Sequence, residues 1–137
     1  MQMPARVFFD TNVLVYAFAA SSPKGTAAEV ALAAGGVTSV QVFNEFANVC
    51  RRKLDLAWDE IASRVDVLKT LLGPPLPLTM QIHDAARALA QAHMLSLYDA
   101  LIVAAAQEAK ADVVLSEDLQ DGRKFGKLVV RNPFKET

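Results

Sequence analysis

The sequence predicts an α/β fold on a short parallel sheet, and three observations carry that prediction. Short apolar runs of strand length alternate with longer stretches of helical spacing, the pattern of right-handed βαβ crossovers. At 137 residues and 53% apolar content the chain has material for one packed core and not for two. No internal repeat, low-complexity tract or linker divides it, so residues 1–137 read as a single domain.

Arg6–Phe9 is an apolar run with two aromatics that ends at Asp10-Thr11-Asn12, a buried strand followed by a turn. Val13–Ala19 resumes as a short helix, broken at Ser21-Ser22-Pro23. Pro23 sits well just ahead of a second helix over Gly25–Ala34, which Gly35-Gly36 stops. Val37–Ser39 is a second strand, and Ser39 is placed to cap a helix over Val40–Leu54. A helix over Asp59–Leu72 ends at Gly73-Pro74-Pro75, a permissive glycine and two residues that cannot continue it. Leu76–Leu78 is a weak third strand that Pro77 assigns to a sheet edge. Thr79 caps a helix over Met80–Met94, and another follows at Tyr98–Ala109. Val113–Leu115 and Leu128–Val130 complete the sheet as fourth and fifth strands.

No run approaches the roughly 20 apolar residues of a membrane-spanning helix; the longest, Val13–Ala20 and Ala100–Ala106, read as buried elements. No cationic stretch precedes an apolar one at the N-terminus, and the single Cys50 has no partner for an internal disulfide. Both point to a cytoplasmic protein. A net charge of −1 argues against a module that binds nucleic acid by bulk positive charge. Charge is nonetheless clustered: Arg51-Arg52-Lys53 is basic, and Gln120–Thr137 holds five basic residues against two acidic ones.

Open α/β sheets bind ligands at the carboxyl ends of their strands, so acids placed there matter most. Asp10 directly follows the first strand and Asp118 lies three residues after the fourth. Each has an ordinary alternative. Asp10 or Asn12 caps the next helix, and Asp118, beside Glu117 and Asp121, belongs to a solvated turn. Asp99 opens a helix that is apolar on every side and therefore buried, where the free N–H groups and dipole favour a carboxylate. Its alternative is a capping box with Ser96. Glu45 shares a polar stripe with Gln41, Asn48 and Arg52 at i, i+4, i+7 and i+11, opposite Phe43, Phe46 and Cys50; a plain solvated face is its alternative. Three of the four acids lie at that sheet edge; if all four are brought close together they repel one another unless a cation compensates, and Mg²⁺ and Mn²⁺ prefer such oxygen ligands.

Phe9-Asp10-Thr11-Asn12-Val13-Leu14, Asn44-Glu45, Tyr98-Asp99-Ala100 with the apolar helix behind it, and Leu115-Ser116-Glu117-Asp118 together resemble the PIN-domain family. Within it the likeness is to VapC-type toxin ribonucleases of type II toxin–antitoxin pairs. The order and spacing of these motifs cover Val7 to about Asn132. The resemblance implies a Rossmann-like, three-layer α/β/α sandwich and Mg²⁺- or Mn²⁺-dependent endoribonuclease activity. By position, Asp10, Glu45, Asp99 and Asp118 match the family's acidic quartet, with Asp10, Asp99 and Asp118 as metal ligands. Thr11, Asn12 and Ser116 match the polar residues that orient it, and Asp121 or Glu117 is an alternative fourth carboxylate. The resemblance also implies a homodimer, neutralised by a cognate antitoxin whose tail occupies the acidic groove.

On this reading Asn48, Arg52 and the Arg123, Lys124, Lys127 cluster contact the RNA backbone, positioning the strand without reading its sequence. Two other readings compete. A receiver-type signalling domain also binds Mg²⁺ beside strand-end acids, but needs an acidic pair after strand one, where this chain has Asp10-Thr11-Asn12. A PIN-like scaffold would bind its partner without turnover. His83 and His93, ten positions apart, are not placed to share a metal; Cys50 and Trp58 read as packing residues.

Overall fold

The computed structural model describes residues 4–19 and 21–135, so Ala20, Glu136 and Thr137 of the runs named above lie outside the described residues. In chain order the elements are β1 (Val7–Phe9), α1 (Thr11–Tyr16), α2 (Pro23–Ala33), α3 (Val40–Arg52), α4 (Trp58–Leu72), α5 (Met80–His93), α6 (Leu97–Glu108), β2 (Val113–Leu115), β3 (Lys124–Phe125) and β4 (Leu128–Arg131).

Helix starts follow side-chain chemistry. Ser22, Ser39, Thr79 and Ser96 each accept a hydrogen bond from a backbone N–H of the first turn, and Pro23 occupies the first helical position of α2. Helix α1 begins earlier than its apolar spacing predicts, because Asp10 caps it by accepting from Thr11 N at 2.7 Å. Met94 closes α5 in the left-handed region at φ 58°, with its N–H donating to Ala90 O.

The strands run in the order β1-β2-β4-β3. Strands β1, β2 and β4 are parallel, with Phe9 opposite Leu115 and Leu115 opposite Arg131. The all-parallel expectation is corrected at one edge, where β3 pairs antiparallel with β4. A two-residue loop, Gly126-Lys127, joins them with Gly126 at φ 63°, the place where such loops take glycine. The strands expected at Val37–Ser39 and Leu76–Leu78 contract to single parallel bridges, Phe8 to Val37 and Ser39 to Leu76. They still extend the sheet beyond β1.

Helices α1 to α4 pack among themselves, while α5 packs on α6, which lies against β2. The result is the α/β/α sandwich. Phe8, Phe9, Phe46, Leu14, Val103 and Val114 are fully buried at its centre. Each such side chain contributes about 1.5–3 kcal/mol by leaving water. Ala100–Ala106 of α6 is buried throughout, which explains why that helix has no polar face. Burial on both sides fixes its start, and with it Asp99, against the carboxyl edge of the sheet. Among the described residues no single helix is long and apolar enough to cross a membrane.

Candidate metal centre

Four elements deliver one carboxylate each to a single pocket. Asp10 follows β1, Asp118 lies in the turn after β2, Asp99 sits in the first turn of α6 and Glu45 faces inward from α3. Thr11, Asn12, Asn48, Val49, Lys53 and Ile102 complete the lining of a cavity of about 320 Å³.

Hydrogen bonds order the acids from the inside outward. Asp10 is 5% exposed; one carboxylate oxygen accepts from Thr11 N, the other from the Ser116 hydroxyl at 2.7 Å. Ser116, fully buried, also accepts from the backbone N–H groups of Asp118 and Leu119 at 3.2 and 3.1 Å. One hydroxyl therefore ties the end of β1 to the turn after β2. The Thr11 hydroxyl donates to Glu45 Oε2 at 2.8 Å, and Asn12 Nδ2 donates to both oxygens of Asp118 at 3.2 and 3.1 Å. Ser96 accepts from Asp99 N at 3.1 Å, so the capping geometry is real. Among the described residues, however, no donor engages the Asp99 carboxylate.

The electrostatics report the crowding. Burial raises Asp10 to about 6, against hydrogen bonds from Ser116 and Thr11, with the charges of Asp118 and Glu45 adding to the rise. Glu45 is raised, first by burial and then by Asp99 and Asp118, while Thr11 and Gln41 oppose it through hydrogen bonds. Asp118 is raised by burial, Asp99 and Glu117, with Asn12 and Lys53 opposing. Asp10, Glu45 and Asp118 each feel at least one other acid of the pocket, which an unrelated set of caps and surface turns would not produce.

The alternative fourth carboxylates are engaged elsewhere. Glu117 pairs with Lys24 and accepts from the Tyr16 hydroxyl. Asp121 accepts from Asn132 N at 2.8 Å and from Lys135 at 3.1 Å. Of the residues expected to meet RNA, only Asn48 lines the pocket, and Lys53 takes the place expected of Arg52. Arg123 donates to His93 O at 2.7 Å and stacks its guanidinium over Phe125. Lys124 is exposed on β3, and Lys127 lines a separate groove with Gln107 and Lys110. That groove lies by the end of α6 remote from Asp99, since Gln107 is eight residues further along, about 12 Å of helix. The wall residues that sequence reasoning missed are Val49, Lys53 and Ile102. Lys53 had a signal, its place in the 51–53 basic cluster.

A hard divalent cation fits the donor set, which is all oxygen and carries excess negative charge. Among the described residues no three of the acids already form a closed metal cage. Cys50 is buried in the core as expected, whereas Trp58 is 63% exposed, under the Arg51 guanidinium rather than packed inside.

A small α/β sandwich with an acidic pocket at the carboxyl edge of its parallel strands is a recognised class. The PIN domain model matches residues 7–124, and the chain belongs to the PIN domain family. The receiver-domain alternative falls with that assignment. Similar solved structures include a toxin–antitoxin complex from Klebsiella pneumoniae, 22% identical over 93% of this chain and 97% of that one, with a TM-score of 0.69. VapC20 from Mycobacterium tuberculosis, described as a sarcin–ricin loop cleaving toxin, is 17% identical over 82% and 89% with a TM-score of 0.67. VapBC2 from Rickettsia felis, bound to a promoter DNA fragment, is 17% identical over 92% and 97% with a TM-score of 0.65. At such identities the likeness is one of fold. No curated protein sequence matches the chain.

Proposed function

We propose that this PIN-domain chain is a Mg²⁺- or Mn²⁺-dependent endoribonuclease, acting as the toxin of a toxin–antitoxin pair in the cytoplasm. The observation that carries the reading is the convergence of Asp10, Glu45, Asp99 and Asp118 from four elements on one pocket. Asp10, Asp99 and Asp118 would hold the cation, with Thr11, Asn12 and Ser116 orienting the carboxylates. When bound, the cation supplies Lewis acidity that activates water and neutralises charge on a phosphodiester.

Glu45, held by the Thr11 hydroxyl, orients the attacking water and takes its proton. The water oxygen attacks phosphorus in line, the bond to the 3′-oxygen breaks, and that oxygen takes a proton from solvent, which gives a 5′-phosphate and a 3′-hydroxyl. Asn48 from α3 and Lys53 from its C-cap reach the pocket to meet the RNA backbone. Arg52 remains a contact further along the strand, while Arg123, Lys124 and Lys127 would serve only an RNA that wraps the molecule.

The toxin reading draws on the family motifs and on the toxin–antitoxin proteins among the similar structures. An apolar groove lined by Phe18, Leu32, Val67 and Leu71 offers an antitoxin a seat outside the acidic pocket. A homodimer is the assembly the family resemblance implies. The buried free Cys50 is compatible with a reducing compartment.

Mn²⁺ binding by calorimetry, paired with cleavage of an RNA panel, tests the reading. Asp99→Asn is expected to lose both while keeping its circular dichroism spectrum. Normal cleavage by that variant would overturn the mechanism. Metal binding without cleavage of any RNA would favour the scaffold.

A further inference from the structure

Beside the acidic pocket lies a second, shallow groove of about 330 Å³, lined by Asn44, Glu45, Asn48 and Tyr98. Tyr98 is the second residue of α6, immediately before Asp99, and is 62% exposed. Asn44 and Asn48 lie one turn apart on α3, so their carboxamides project on the same side. Among the described residues neither carboxamide nor the Tyr98 hydroxyl has a side-chain hydrogen-bond partner. Both asparagines are exposed, so their donors and acceptors, like the Tyr98 ring, are open to a ligand that enters the groove.

The chemistry of these groups selects one kind of occupant. A free aromatic face accepts a stacked planar ring, and a carboxamide offers one acceptor beside two donors, which matches the edge of a nucleobase. A phosphate is disfavoured, because no cation lines the groove and the Glu45 carboxylate does. Glu45 and Asn48 line both cavities, so a base held here belongs to the nucleotide next to the phosphate in the acidic pocket.

We propose that the Tyr98–Asn44–Asn48 groove is a nucleobase subsite: Tyr98 stacks on the base flanking the scissile bond, and the two asparagines read its edge. The proposal rests on the ribonuclease reading and specifies which part of the substrate this chain recognises by sequence.

The test is fluorescence anisotropy with labelled hexaribonucleotides of A, C, G or U and an abasic hexamer of equal charge, on the intact chain with Ca²⁺ in place of Mn²⁺ to occupy the carboxylates without turnover. Tyr98→Ala is expected to weaken the preferred base-bearing hexamer about tenfold and leave the abasic one unchanged. Tyr98→Phe should restore the affinity, and Asn44→Ala should reorder the four hexamers. Equal losses for base-bearing and abasic hexamers would overturn the subsite, since the groove would then hold backbone. No loss for either, or no binding of any hexamer, would also overturn it. So would a change of oligomeric state in Tyr98→Ala by light scattering, which would make the groove an interface between copies. Tyr98-dependent base binding in a protein that cleaves no RNA with Mn²⁺ would keep the subsite and remove the nuclease.

Discussion

Asp10 shows how an ordinary structural role and a functional one occupy the same carboxylate. It caps α1 through Thr11 N, as helix chemistry predicts, yet burial, with the charges of Asp118 and Glu45 adding, raises it to about 6. Because its folded pKa lies above the ordinary 3.8, its contribution to stability is fully present below pH 3.8 and is lost as pH rises through about 6. The penalty near neutral pH is on the order of 3 kcal/mol. Asp10→Asn keeps an oxygen for the cap and removes the charge, so the metal-free variant should be more stable than the parent by about 1–3 kcal/mol near neutral pH and no more stable near pH 4. Urea titrations at the two pH values check it, and an equal difference at both would contradict the assigned cause. Ser116 is the complementary case. Its hydroxyl serves three partners in a fully buried position, so Ser116→Ala leaves two N–H groups and a carboxylate oxygen short of bonds. A loss of about 2–3 kcal/mol in urea is expected, with weakened Mn²⁺ binding because Asp118 loses its anchor.

At the level of elements, what could be read from sequence was whatever local chemistry decides. Ser39, Thr79 and Ser96 announce their helices, and the all-apolar stretch after Asp99 announces burial. The β3–β4 hairpin was missed because Lys124-Phe125 is too short to show any period; its pairing depends on Gly126 and on β4. Of the polar stripe on α3, Glu45 and Asn48 line the pocket, whereas Arg52 does not and Lys53 does. Spacing fixes which residues share a face, whereas the rotation of the helix about its axis is set by burial of Val42, Phe46 and Cys50 against other elements. Close packing also holds β1 in place. A Cβ on Gly36 would lie 2.5 Å from Val7 O and 2.6 Å from the Phe9 ring, so neither backbone nor core can yield cheaply. Gly36→Ala should cost about 1–3 kcal/mol. It should also shift the end of β1 that carries Asp10, weakening Mn²⁺ binding although the substitution is outside the pocket. A destabilised variant with unchanged Mn²⁺ affinity would show that strand position and site geometry are not coupled in this way.

Across the whole molecule the acids set an unusual pH response. Asp10, Glu45 and Asp118 are all raised, so the folded metal-free chain binds more protons than the unfolded one and gains stability as pH falls toward 4. Asp121 acts in the opposite sense, held below its usual range by the Asn132 N–H and Lys135, but as a surface group its share is small. A divalent cation inverts the balance, because it binds the ionised carboxylates and competes with the protons that would otherwise neutralise them. Mn²⁺ at a hundredfold excess over Kd should stabilise the fold by about 2.7 kcal/mol, on the order of 10 °C in Tm for a chain of this size. That shift should be large at about pH 7.5 and shrink at about pH 5, as Asp10 takes up its proton. Differential scanning calorimetry with and without Mn²⁺ at both pH values measures it. Asp118→Asn should abolish most of the gain at the higher pH. If that variant kept the full shift, the cation would be binding elsewhere, and the repulsion among the four acids would lack the partner that the proposed mechanism requires.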